Sequence, residues 1–313
     1  NPIATPISTD VLHPKNHQDK LETAYNSSNI IIDLSASIPV SRHLARDLSN
    51  TTRRVSIFLN PSGSDLVALV EDIERNVTLD CLEMQYYRYL ISETSLKDHL
   101  IFNEGSVRYA RSCRDISSKI PQDLVALHAS IGSRVICNLL SKDNGNFISI
   151  WQFNPENQTV ANYRITAYNT FQLNFEEWTI IIDQYIIDKL RTTRLSKLPN
   201  ETGGILIGSY DLSRKIIYIV DSILSPPDSK ENPYSYQRGV EGLNEQLKSI
   251  RLITSDNLEY IGEWHSHPTD DVWPSKADDK LFSWILDIMS AVGLPSLMLI
   301  IGENHEFLQI KKL

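Results

Sequence analysis

Cysteine is scarce: three residues in 313, at Cys81, Cys113 and Cys137. That is too few and too scattered for a disulfide framework or a zinc ribbon. An odd count with no signal-peptide pattern is the usage of a reducing cytoplasm. Long apolar runs are missing too. WTIIIDQYII is broken by Asp183 and SLMLIIG is short, so no membrane span is expected. Positive charge is in deficit, with 30 Lys and Arg against 39 Asp and Glu and a formal net charge of −9. That balance gives no support to nucleic-acid or anionic-membrane binding. Neither G-x-G-x-x-G nor a P-loop occurs, so the chain carries no glycine-rich phosphate cradle. An initiating Met is also lacking: the chain begins NPIATP, as a fragment or a processed product would.

What is present is the composition of a soluble globular protein, 41% hydrophobic and 22% charged. The length suits one large or two ordinary domains. Five N-x-[ST] sequons, at Asn26, Asn50, Asn76, Asn157 and Asn200, are what a chain rich in Asn, Ser and Thr gives by chance. Residues 1–29 are polar, with a short helix expected around QDKLETAY. SNIIIDLSAS reads as a buried parallel strand ending in Asp33, PVSRHLARDL as a helix, and RRVSIFLNPSG as a second strand. DLVALVEDIE and LDCLEMQYYRYLIS read as helices, IPQDLVALHASIGSRVICNLL as a long one, and FISIWQFN and VANYRITAY as strands. This is an α/β pattern, assigned to residues 1–172. Residues 173–313 read as an α+β domain with a mixed sheet. Strand and helix in EEWTIIIDQYIIDKLRTTRL lead to strands GGILIGSYD and KIIYIVDSIL, a loop, and helix VEGLNEQLKSIRL. Strand EYIGEWHSH, helix ADDKLFSWILDIMSAV and two last strands follow.

Two of the eight histidines sit one residue apart in GEWHSHPTDDVWPSKADD, residues 262–279. Side chains two apart on a strand share a face, with backbones about 6–7 Å apart. His265, His267 and Asp278 make a His-x-His-x10-Asp set. Two imidazoles and a carboxylate, with a fourth position left for water, are a ligand set for catalytic zinc. Such a site needs a carboxylate to take and return a proton. Glu201 and Glu263 both qualify. Ser275-x-x-Asp278 after Pro274 reads first as a helix N-cap, which would also fix Asp278 toward the strand.

The joint pattern is far rarer than its pieces: E-x-G-G-x-L-x-G from Glu201, then GEWHSHP, then P-S-x-x-D. Over about residues 175–313 it resembles the JAMM (MPN, JAB-domain) metalloproteases. PPDS and the Arg238–Gly239 pair bring it nearer the prokaryotic members. The resemblance implies one zinc ion per chain on His265, His267 and Asp278. It implies Glu201, rather than Glu263, as the general base, and Ser275 as a hydrogen-bond donor to the reacting carbonyl oxygen. It further implies cleavage of peptide or isopeptide bonds beside the C-terminal tail of a ubiquitin-like protein, either a precursor or a conjugate. The loop at 225–240 falls where the family places substrate-contacting insertions. Trp264 is expected to pack on the far face of the strand.

IIDLSAS, RRVSIFLNPSGSDLVALVED and LEMQYYRYL are similar to the C-terminal half of a ThiF-type, ubiquitin-activating-like domain over about residues 29–165. The likeness implies a partial Rossmann-type α/β unit with Asp33 near a nucleotide. Its front half, with the adenylation residues, is absent from this chain, so partners could include that half and a conjugating enzyme. Cys113, between Arg111 and Arg114, is a thioester candidate against the plainer reading of an ordinary loop cysteine. Three functions follow in order. The first is a zinc isopeptidase or precursor peptidase of a bacterial ubiquitin-like pathway. The second is a non-catalytic MPN-like adaptor. The third is a small-molecule amidohydrolase on the same chemistry.

Overall fold

The computed structural model describes residues 3–101, 107–108, 116–117, 120–141 and 145–311. Cys113 lies outside the described residues. Cys81 and Cys137 are free. The chain divides into two compact units, Asn1–Ala167 and Tyr168–Leu313.

The first unit runs α1 (Gln18–Ser27), β1 (Ile30–Asp33), α2 (Ile38–Arg42), β2 (Arg53–Leu59), β3 (Asp65–Val70) and α3 (Leu79–Ser92). It continues with β4 (Val107–Arg108), β5 (Ile116–Ser117), α4 (Gln122–Ser141), β6 (Phe147–Asn154) and β7 (Thr159–Ile165). Its main sheet has the order β1-β2-β3-β6-β7. Only β1 and β2 run parallel; the other three pairings are antiparallel. DLVALV, expected as a helix, is strand β3 at the centre of this sheet. Ile57, Leu66, Ala68 and Val70 face Val135 and Leu139 of α4. On the opposite face Phe58 meets Tyr86 of α3. With both faces covered, β3 is apolar throughout, so the two-residue alternation that marks a strand is erased. Asp33 ends β1, as expected. Its carboxylate accepts from Ser35 N and Oγ and from Ser56 Oγ at 2.9, 2.6 and 3.0 Å. By length and hydropathy alone α4 is apolar enough to cross a membrane, which the reading of the sequence missed. It packs Val135 and Leu139 onto the sheet and carries His128, whose Nε2 donates to Ser64 O at 2.9 Å.

The second unit runs β8 (Thr170–Phe175), β9 (Trp178–Asp183), α5 (Gln184–Lys197), β10 (Gly203–Asp211) and β11 (Ile216–Leu224). The hairpin β12 (Lys230–Asn232) and β13 (Ser235–Gln237) follows, then α6 (Leu243–Ile253), β14 (Glu259–Ser266), α7 (Lys276–Ala291), β15 (Ser296–Ile301) and β16 (Glu306–Lys311). Its seven-stranded mixed sheet has the order β16-β15-β14-β10-β11-β9-β8. β9 pairs with β11 and β14 with β15 in parallel; the other pairings are antiparallel. β8 was not expected and belongs here through its pairing with β9, which sets this unit's start a few residues ahead of 173. α5 follows β9 with no loop because Asp183 caps it, accepting from Ile186 N at 3.2 Å.

β10 and β14 lie side by side in mid-sheet, with Gly203 opposite His265 and Gly204 opposite Trp264. The Gly203–Gly204 pair is a requirement of close approach. A Cβ at Gly203 would stand 2.4 Å from the Trp264 carbonyl oxygen and from the Tyr236 ring. One at Gly204 would stand 2.1 Å from Ile223 O. Trp264 points away from the site into the core with Leu206, Ile217, Ile261 and Leu299.

Candidate metal centre

β14 ends at Ser266, so His265 is a strand residue and His267 lies just beyond the strand. The ladder nevertheless carries on through backbone bonds. Ser266 N donates to Thr202 O at 2.7 Å and His267 N to Ile301 O at 2.9 Å. The two rings therefore stay on one side, with Nε2 atoms 3.2 Å apart. Arg194, buried on α5, holds the chain at this exit. Its Nε donates to His267 O at 2.8 Å and its Nη2 to Pro268 O at 2.7 Å. A buried guanidinium fixed on two successive carbonyls leaves the turn little freedom.

Asp278 comes from the first turn of α7. Ser275 is the N-cap, and its Oγ accepts from Ala277 N at 3.2 Å and Asp278 N at 3.3 Å. Asp278 Oδ2 reaches back to accept from Ser275 N at 2.7 Å, closing a capping box. Its other oxygen, Oδ1, stands 3.3 Å from His265 Nε2. Capping and ligand placement are thus the work of one carboxylate. Burial alone would raise the Asp278 pKa. The bond to His265 and the Ser275 N–H overcome that and hold it well below the ordinary carboxylate value.

The donor set fits a small cation. His267 Nδ1 lies 2.5 Å from Asp271 O. A carbonyl only accepts, so Nδ1 carries the hydrogen and Nε2 of the neutral ring is a bare lone pair. That lone pair is aimed at His265 Nε2 and at the Asp278 carboxylate, 4.0 Å away at Oδ2. One ligand atom from each residue lies within 4.8 Å of the others. Zinc–nitrogen bonds of about 2.0–2.1 Å at tetrahedral angles separate neighbouring ligands by about 3.3–3.4 Å. Two of the three edges, 3.2 and 3.3 Å, match this spacing. His267 Nε2 stands 4.0 Å from the other Asp278 oxygen, Oδ2, the one that accepts from Ser275 N.

Glu201 lies immediately before Thr202, which pairs with Ser266, so it enters the site beside His267. Its own N–H donates to Asn232 O of the β12–β13 hairpin at 2.9 Å. Among the described residues, no hydrogen bond engages its carboxylate. Burial raises its pKa, and Asp278 adds to this, while His267 and His265 pull it down. A buried carboxylate with a raised pKa, engaged by no hydrogen bond among the described residues, is suited to accept a proton.

Glu263 is committed elsewhere. It is buried and held by Arg238 through two bonds of 2.8 and 2.9 Å, with Tyr260 Oη at 3.2 Å. Burial pushes the Glu263 carboxyl up, and Arg238 and Tyr260 offset part of that. Arg238→Met is expected to strand this charge and lower stability by about 3–5 kcal/mol in urea unfolding. Adding Glu263→Gln is expected to recover most of the loss. If the single variant unfolds like the wild type, the pair carries no such weight.

The spacing of the sequence singled out His265, His267 and Asp278, while the choice of Glu201 over Glu263 and the role of Ser275 came from the family resemblance. It did not anticipate Arg194, the carbonyl of Asp271, or the Arg238–Glu263 pair. Arg238 and Glu263 both stand out in the sequence, but nothing there shows that they pair.

Residues 183–310 match the family model described as prokaryotic homologs of the JAB domain. A protein named CD-NTase/cGAS isopeptidase from Enterobacter hormaechei is 36% identical over 133 residues, covering 42% of this chain and 72% of that protein. One of the same name from Escherichia coli is 31% identical over 137 residues, 42% of this chain and 80% of its own length. A third, from Vibrio cholerae, is 29% identical over 137 residues, 42% of this chain and 82% of its own.

Proposed function

The chain belongs to the family of prokaryotic homologs of the JAB domain, and from that premise we propose that it is a zinc-dependent isopeptidase or peptidase acting beside the C-terminal tail of a ubiquitin-like protein. One observation carries this reading. Two imidazole nitrogens 3.2 Å apart converge with the Asp278 carboxylate, all within 4.8 Å of one another, beside a buried carboxylate that has no hydrogen-bond partner among the described residues.

In this proposal His265, His267 and Asp278 hold one zinc ion. Zinc in such a site supplies Lewis acidity, which acidifies water and polarises a carbonyl. Glu201 takes the proton of the attacking water as the new carbon–oxygen bond forms. It then delivers that proton to the leaving amine nitrogen as the carbon–nitrogen bond breaks, and the water's second proton follows, leaving a carboxylate and an ammonium group. Ser275 Oγ accepts two backbone N–H bonds, and its hydroxyl also bonds the Asp278 carboxylate, from which it would turn toward a bound substrate. It can donate to the carbonyl oxygen as that atom gains charge. Arg194 and the Asp271 carbonyl keep His267 in place and in the required tautomer.

The acceptor side is open to test, and a CD-NTase, after the name of the relatives, is the first acceptor to offer. The first unit enters the proposal as a ThiF-like half-domain that recruits a conjugating partner. The two free cysteines and the scattered third accord with a cytoplasmic setting. The test is a ubiquitin-like protein carrying an isopeptide-linked acceptor, and its tail-extended precursor, incubated with the zinc-loaded chain. Mass spectrometry should show a free C-terminal tail, lost with chelator and restored by zinc. Tight binding without turnover in the zinc-loaded protein would overturn the enzyme in favour of the adaptor.

A further inference from the structure

α7 carries two apolar stripes where a helix on a sheet needs one. Phe282, Ile285, Leu286 and Met289 are buried against the domain. About 120° round the helix, by 100° per residue, lie Ala277, Leu281, Trp284, Ile288 and Ala291, and all five are exposed. Leu281, Trp284 and Ile288 remain 37%, 56% and 47% exposed, and Val292, just beyond the helix, 68%. The steps between the five are four, three, four and three residues. That is the spacing of a coiled-coil seam, which needs a second helix to cover it.

We propose that this seam is covered by α7 of a second copy of the chain, running antiparallel about a two-fold axis at Trp284. The residues themselves select that partner. Reversing the helix about Trp284 sets Ala277 against Ala291 of the second copy and brings Leu281 beside Ile288, one residue from exact opposition. Large residues then fill the centre. Small ones at both ends let the helices approach to the usual 8–10 Å or so. The flanks agree. Lys280 and Asp287 border the seam one heptad apart, both exposed, and neither forms an ion pair within the chain among the described residues. In an antiparallel pair the residues at this flank meet each other across the interface. Lys280 therefore faces Asp287 of the second copy, twice by symmetry. A parallel pairing would waste this match, and the seam is self-complementary only in the antiparallel sense. The inference does not depend on the chemistry proposed above.

Sedimentation velocity on the full chain over a concentration series tests it. The average mass should climb from 35.6 kDa toward twice that value. Trp284→Glu should hold the chain at monomer mass with its zinc content unchanged. Lys280→Glu should weaken association roughly three- to tenfold, since it turns two surface attractions into repulsions. Lys280→Glu combined with Asp287→Lys should restore it. A wild type that stays monomeric overturns the proposal, as does association that survives Trp284→Glu. A double swap that fails to rescue overturns the antiparallel register.

Discussion

Glu201→Gln is expected to lower turnover of a tail substrate by about 10²–10⁴-fold, the usual worth of a positioned general base. Zinc content and thermal stability should stay at wild-type values. The substitution keeps the side chain's shape and removes only its capacity to accept a proton. Because no hydrogen bond engages the Glu201 carboxylate among the described residues, nothing structural is lost with it. Glu263→Gln is the control. It disturbs the Arg238 pair, so it should shift unfolding more than chemistry. Wild-type turnover in Glu201→Gln, with zinc confirmed by mass spectrometry, would end its assignment as the base.

His267→Ala is expected to remove zinc from the purified protein. Loss of a partner behind a ligand typically costs 10–100-fold in metal affinity, by order of magnitude. Loss of the ligand itself should exceed that. Zinc titration read by a chelating dye gives the number, and it does not depend on having found a substrate. Imidazole ligands bind metal only when deprotonated, so occupancy in the wild type should fall as the solution is acidified. Asp278 will not be the group that fails first. Its pKa is held well below the ordinary carboxylate value, and it stays ionised as pH falls. Equal zinc affinity in His267→Ala and wild type would mean that the three donors do not act together.

The candidate ligand set was legible because each of its parts follows a local rule. Strand alternation, carried one residue past the end of β14, puts His265 and His267 on one side, and the helix start at Ser275 aims Asp278. What lay out of reach was held by long-range or backbone groups. Arg194 meets His267 O across 73 residues, and the partner of His267 Nδ1 is a carbonyl, which every residue possesses. Trp264 was expected to pack on the far face, and it does so in the core. In the first unit the local rules failed where burial is greatest. β3 is covered on both sides and shows no alternation, so it passed for a helix. β8 reads TFQLNF and does alternate, with Phe171, Leu173 and Phe175 on one face, so its signal was in the sequence and was passed over.

The capping box at the start of α7 has a consequence for how such a chain can change. Asp278 spends one oxygen on the helix end and the other on His265. An asparagine there would still offer an oxygen to Ser275 N, so the helix would begin where it does now. The ligand charge would vanish while the architecture survived. Chemistry in this domain is therefore separable from folding by a single codon. A lineage that loses its activity at this position keeps a well-formed module free to take up other work.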